Sequence, residues 1–210
     1  MERTINPIFD RHSDEPTEIQ DFSFQSKEAH EFFIFESSRE IEKLIPKLTD
    51  GHSYSLLSFG DWSLKELVMH IARIIGPCDV VSTTYGLGSR TSKSIIRALD
   101  IGLFRSFAFL YDKKVREYKE EAHNVCASRF PVKITSVHAK ITILKNEEWG
   151  VMVTGSANWS DNNAKIEHAE IIVNREKAEF FYETILKAIQ AKAILPTEIK
   201  KELCTTNIPK

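Results

Sequence analysis

Nothing in this 210-residue chain runs uninterrupted and apolar for the roughly 18 to 20 residues needed to cross a bilayer. The start, MERTINPIFDRHSDEP, has no charged segment followed by an apolar one, so no leader is expected. The chain therefore reads as soluble and cytoplasmic, with no stable membrane insertion. Cysteine is scarce: Cys78, Cys126 and Cys204 are odd in number and widely spaced, with no Cys-x-x-Cys pair, which argues against a disulfide framework or a zinc ribbon. Positive charge is not in excess either, with 28 Lys and Arg against 30 Asp and Glu, so a nucleic acid partner would have to meet a local patch. What remains is ordinary globular composition, 42% hydrophobic and 28% charged, with room for one full core.

Residues 1–50 read as an N-terminal extension. Pro7, Pro16 and a polar texture suggest an extended arm over residues 1–26. Ser37 or Ser38 then caps a short helix through Ile41, Leu44, Ile45 and Leu48, weakened by Pro46 and ending near Asp50–Gly51. Residues 51–195 form the main domain. SYSLLSF, CDVVSTTYG and SFAFLYD are apolar runs of strand length. Between and after them, DWSLKELVMHIARIIG, with Asp61 as cap, RTSKSIIRAL and KKVREYKEEAHNVCA carry the helical period. The alternation predicts an α/β fold with a mixed, mostly parallel sheet flanked by helices. Beyond Arg129 come four short runs rich in β-branched residues, VKITSV, AKITIL, WGVMVTG and AEIIVN, with KNEE as a hairpin loop. An amphipathic helix over about 177–191 closes the domain, and residues 196–210 read as a polar tail.

The second and third of those runs carry the chemistry, in VHAKITILKNEEWGVMVTGSANWS. On a strand, His138 and Lys140 would share a face, because side chains alternate with a period of two. An imidazole serves as nucleophile or general acid near neutral pH, and an ammonium neutralises phosphate oxygens. Gly155 then allows a tight turn that aims the Ser156 hydroxyl and the Asn158 amide at the same oxygens. An isolated His-x-Lys is commonplace. Its pairing with Gly-Ser-x-Asn one strand later, and with Glu170 on the next, makes a coherent phosphodiester site that uses no metal and no cofactor.

The segment resembles the phospholipase D superfamily, whose signature is His-x-Lys, four residues, Asp, then Gly-Ser-x-Asn and a downstream glutamate. HAK, GSANWS and HAEIIV stand in that order over about residues 130–175, and the α/β alternation extends the likeness loosely back to residue 53. The signature aspartate falls on Lys145. Glu170 matches the glutamate, with Glu167 as the alternative. The resemblance implies a phospholipase D-like fold and a mechanism in which two motifs face each other. One histidine forms a phosphohistidine while the other protonates the leaving oxygen. This chain holds the motif once, so the resemblance implies a homodimer with the site shared between two subunits.

Other features are weaker. The Gly-x-Gly-Ser turn in TTYGLGSRTSKS could offer backbone amides to a phosphate, but it lacks the full fingerprint and an ordinary turn is the favoured reading; Tyr85 beside it is a candidate wall of the substrate groove. Gly155 and Trp159 complete the substrate-binding candidates, with Trp159 either stacking on a base or packing beneath the turn. Arg90, Lys93 and Arg97 lie on one side of a helix and suit either a nucleic acid backbone or solvent. The expected function is a metal-independent phosphodiesterase, a nuclease cleaving DNA. A phospholipid phosphodiesterase or phosphatidyl transferase is the alternative within enzymes, and a catalytically silent nucleic-acid-binding subunit of a larger system is the alternative outside them. A scaffold has no physical need for His138, Lys140, Ser156 and Asn158 together, which favours the enzyme.

Overall fold

The computed structural model describes residues 30–35, 41–60, 62–161 and 165–206. The expected arm over residues 1–26 and the caps Ser37, Ser38 and Asp61 lie outside the described residues. Eight strands form one sheet in the order β1-β2-β8-β7-β6-β3-β4-β5. They are β1 His30–Phe35, β2 Ser53–Ser58, β3 Cys78–Thr84, β4 Phe104–Asp112, β5 Val132–Thr135, β6 Ile141–Lys145, β7 Gly150–Gly155 and β8 Glu167–Val173. The mixed α/β sheet flanked by helices is as expected. Most strands run in one direction, and β6 and β8 run against the rest. Neighbours are parallel only at the flanks, in β1–β2, β3–β4 and β4–β5. The centre is antiparallel because the chain doubles back from β6 to β7 and again to β8, as the β-branched runs after Arg129 suggest.

One face of the sheet is covered by α2 Leu64–Ile75, α3 Ser89–Asp100, α4 Lys113–Tyr118 and α5 Glu120–Ala127, around a core that includes Leu67, Ile71, Ile95, Phe107, Phe109 and Trp159. The opposite face is covered by α6 Arg175–Gln190, which lays Ala178, Tyr182, Ile185 and Ile189 on Val81, Ala108, Ile143 and Met152. Both layers follow from the sequence. Along β3, alternate residues face opposite helices, so the strand reads as a continuous apolar run rather than an alternating one.

Several boundaries differ from the sequence reading, each for a local reason. The helix before residue 50 is a single turn, α1 Ile41–Leu44, stopped ahead of Pro46, whose ring excludes continuation. α2 is capped by Ser63, whose hydroxyl accepts from the Glu66 N–H at 3.2 Å while the Glu66 carboxylate accepts from the Ser63 N–H at 2.8 Å. This reciprocal pair starts the helix two residues beyond Asp61. The expected helix through KKVREYKEEAHNVCA breaks at Lys119 into α4 and α5. The sheet reaches back before residue 51, because β1 pairs in parallel along the whole of β2. Residues 196–206, within the expected polar tail, form α7, Pro196–Thr206, with Ile199 buried against Ala188 and Ala191. Among the described residues no helix is long and apolar enough to cross a membrane.

Candidate functional site

An open cavity of about 590 Å3 lies at one end of the sheet, where β3 and β7 finish and β6 and β8 begin. In α/β sheets this end, beyond the carboxyl termini of most strands, is where ligands are usually held. Its lining includes Tyr85, His138, Lys140, Gly155, Ser156, Asn158, Lys165 and Glu167. Residues separated by more than seventy positions in the chain are thus brought to one hollow. His-x-Lys does not sit on a strand as expected. Residues 136–140 form a connection that enters β6 at Ile141. The reason is Thr83, buried on β3, whose hydroxyl donates to the Ala139 carbonyl at 3.0 Å and accepts from the Ile141 N–H at 3.1 Å. A side chain here replaces the next rung of the backbone ladder, so His138 and Lys140 leave the sheet while remaining tied to it.

Lys140 donates to the His138 carbonyl at 2.7 Å. Burial holds its ammonium below the ordinary lysine value, an effect opposed by the Glu167 carboxylate and by Tyr85. The His138 ring lies 5.3 Å from the Tyr85 ring, centroid to centroid, tilted by 60°. Among the described residues no side chain hydrogen-bonds to the His138 ring. Asn158 is fixed from the other side. Its Oδ1 accepts from the backbone N–H groups of Tyr85 and Gly86, each at 3.2 Å. Two backbone donors require that this atom be the oxygen, and among the described residues the amide NH2 has no partner and is the end that faces the cavity this residue lines. An NH2 in that position is a donor suited to a phosphoryl oxygen.

Gly155 takes φ +159°, and a Cβ there would stand 2.0 Å from the His168 carbonyl oxygen, so β7 can approach β8 this closely only with glycine. The Ser156 hydroxyl is already engaged. It donates to the Glu167 carboxylate and accepts from the His168 N–H at 2.9 Å, stitching the exit of β7 to the start of β8. Glu167 rather than Glu170 is among the lining residues. Glu170 sits next door, half-buried, paired with Thr154 in the β7–β8 register.

The substrate-binding candidacy of Trp159 is corrected, and the Gly-x-Gly-Ser turn takes its ordinary structural reading. Trp159 is fully buried, edge-on to Phe107 and Phe109, with its indole N–H donating to the Ser82 hydroxyl at 2.9 Å. It packs beneath the turn and has no face to offer a base. After the Gly-x-Gly-Ser turn an internal carboxylate takes the place an anion would hold. The Asp161 carboxylate accepts from the N–H groups of Arg90 at 3.1 Å and Thr91 at 2.8 Å, and a Cβ on Gly88 would meet it at 2.2 Å. On the helix that follows, Lys93 pairs with Glu121 at 2.7 Å. Lys145, at the signature's aspartate position, lies at the far end of β6 from the cavity. There it pairs with Glu179 at 2.5 Å and Glu183 at 3.6 Å on α6, with its ammonium 4.2 Å from the centre of the Tyr182 ring.

Two residues escaped the sequence reading. Lys165 lines the cavity from the segment before β8. Asp112, at the end of β4, is buried, and its two oxygens hold two separate loops. Oδ1 accepts from the Lys114 N–H at 3.0 Å and Oδ2 from the Val137 N–H at 3.2 Å, one residue before His138. An Asp at a helix start is a familiar N-cap, but its second bond, across 25 residues, leaves no sequence signal.

No protein-family model matches the chain, and no curated protein matches it by sequence. Among solved structures it is similar to NucT from Helicobacter pylori, at 15% identity and TM-score 0.43, over 64% of this chain and 96% of that one. It is also similar to the polyphosphate kinase from Porphyromonas gingivalis, at 16% identity and TM-score 0.46, over 62% of this chain and 25% of that one. The chemistry has to come from this chain's own residues.

Proposed function

We propose that the protein is a metal-independent phosphodiesterase of the phospholipase D type, a nuclease that cleaves DNA at a site shared by two subunits. The observation that supports this reading is the meeting of His138, Lys140 and the free amide of Asn158 at one open cavity. An imidazole nitrogen of His138 attacks phosphorus, the P–O bond to the leaving group breaks, and the partner's His138 gives that oxygen its proton. The same imidazole then takes a proton from water, the hydroxide displaces His138 from phosphorus, and both histidines return to their starting states. Lys140 and the Asn158 NH2 stabilise charge on the nonbridging oxygens. A cavity that is open and bordered by Lys140 and Lys165 suits a charged backbone lying across it better than an acyl chain.

The test is incubation with plasmid and single-stranded DNA in excess EDTA, beside His138→Ala. Cleavage that survives the chelator and disappears in the variant is the expected result. Cleavage that requires a divalent cation, or persists in His138→Ala, would overturn the reading.

A further inference from the structure

One ring beyond His138 stands a cation that the reaction as proposed does not use. Lys114, in the first turn of α4, donates a hydrogen bond to the Tyr85 hydroxyl, with its ammonium 5.0 Å from the centre of the Tyr85 ring. The other side of the relation is equally close, since the Lys140 ammonium lies 5.7 Å from the same ring centre and the His138 ring 5.3 Å away. Tyr85 is thus an aromatic ring close to two ammonium groups, one beside the nucleophile and one on α4. Asp112 sets the spacing, because the same buried carboxylate anchors the backbone at Lys114 and at Val137. A surface lysine with a merely solvated role needs neither the hydroxyl partner nor the shared anchor.

From this arrangement we infer a second phosphate position, formed by the Lys114 ammonium and the Tyr85 hydroxyl, which holds the phosphate next to the one that reacts. The inference rests on the phosphodiesterase reading and narrows its substrate: a chain of phosphodiesters, a single-stranded polynucleotide, engages both positions, whereas a lone diester engages only one. Asp112 acts as a positioning residue that keeps the two positions in register. Hydrogen bonding to Tyr85 raises the Lys114 pKa, so the charge is present throughout the neutral and mildly alkaline range.

The experiment compares wild type, Lys114→Met, Lys114→Arg and Tyr85→Phe on a fluorescein-labelled single-stranded oligonucleotide and on bis(4-nitrophenyl) phosphate, a single diester. The exposed Lys200→Met on α7 serves as a charge-matched control. Lys114→Met should lower kcat/KM for the oligonucleotide roughly tenfold more than for the single diester, the size of one charge-assisted hydrogen bond, with Lys114→Arg restoring most of the loss. Anisotropy of the oligonucleotide bound to the His138→Ala protein should lose affinity in Lys114→Met, with a salt slope lower by about one, and Lys200→Met should leave that slope alone. An equal loss on both substrates, or no change in binding or its slope, would overturn the second position. If wild type turns over neither substrate while Lys114→Met still lowers the slope, the catalytic reading fails and the binding position stands.

Discussion

Lys140 concentrates the residue-scale argument. Its burial disfavours the charged form, so its pKa in the folded protein is lowered. The ammonium is present below that pKa and is lost as pH rises through it, earlier than an exposed lysine would lose it. Phosphoryl-transfer activity should therefore fall on the alkaline side below the ordinary lysine range, while Lys140→Arg, which stays protonated, should flatten that limb. A pH–rate profile whose alkaline limb is the same in both proteins would assign the limb elsewhere. At this scale the sequence was informative about identity and less so about posture. His138, Lys140 and Asn158 could be picked out by type and spacing alone. That Asn158 spends its oxygen on Tyr85 and Gly86, and Ser156 its proton on Glu167, depends on contacts between segments that no single stretch encodes.

Among the elements, β6 divides its labour between its ends. The entry at Ile141 follows the segment bearing His138 and Lys140, and the exit at Lys145 is pinned to Glu179 and Glu183 of α6. A lysine where the signature has an aspartate therefore makes helix contacts at a distance from the cavity. Lys145→Ala should lower stability by about 1 kcal/mol or less, the range of a partly exposed ion pair, and leave cleavage unchanged. Thermal melting and an EDTA-resistant cleavage assay on the same preparation check both halves, and a large loss of turnover in a folded variant would count against this division. Helices and central strands were legible because burial imposes a period on them. β1 and α7 were not: one is an edge strand and the other packs on α6 chiefly through Ile199, so neither leaves a strong pattern.

For the whole molecule, the decisive property is that the motif occurs once. If each working site takes one histidine from each of two chains, mixtures of wild type and His138→Ala that exchange subunits should lose activity as the square of the wild-type fraction. A linear dependence would mean that each chain works alone. That expectation comes from the signature and from the motif's single occurrence rather than from sheet topology or burial. The cavity is open, which leaves its mouth accessible to a second chain.

Thr83 gives the segment bearing His138 a particular kind of freedom. Its hydroxyl stands in for a rung of the β3–β6 ladder at Ala139 and Ile141, so the segment bearing His138 is fastened by a side chain rather than by the zipper of amides that holds the sheet. Such a latch opens without fraying the strands behind it. Amide hydrogen exchange should accordingly divide at this point, with the β6 interior exchanging only through large-scale unfolding and the histidine segment through small local excursions. The segment bearing His138 should then open locally while the core stays closed.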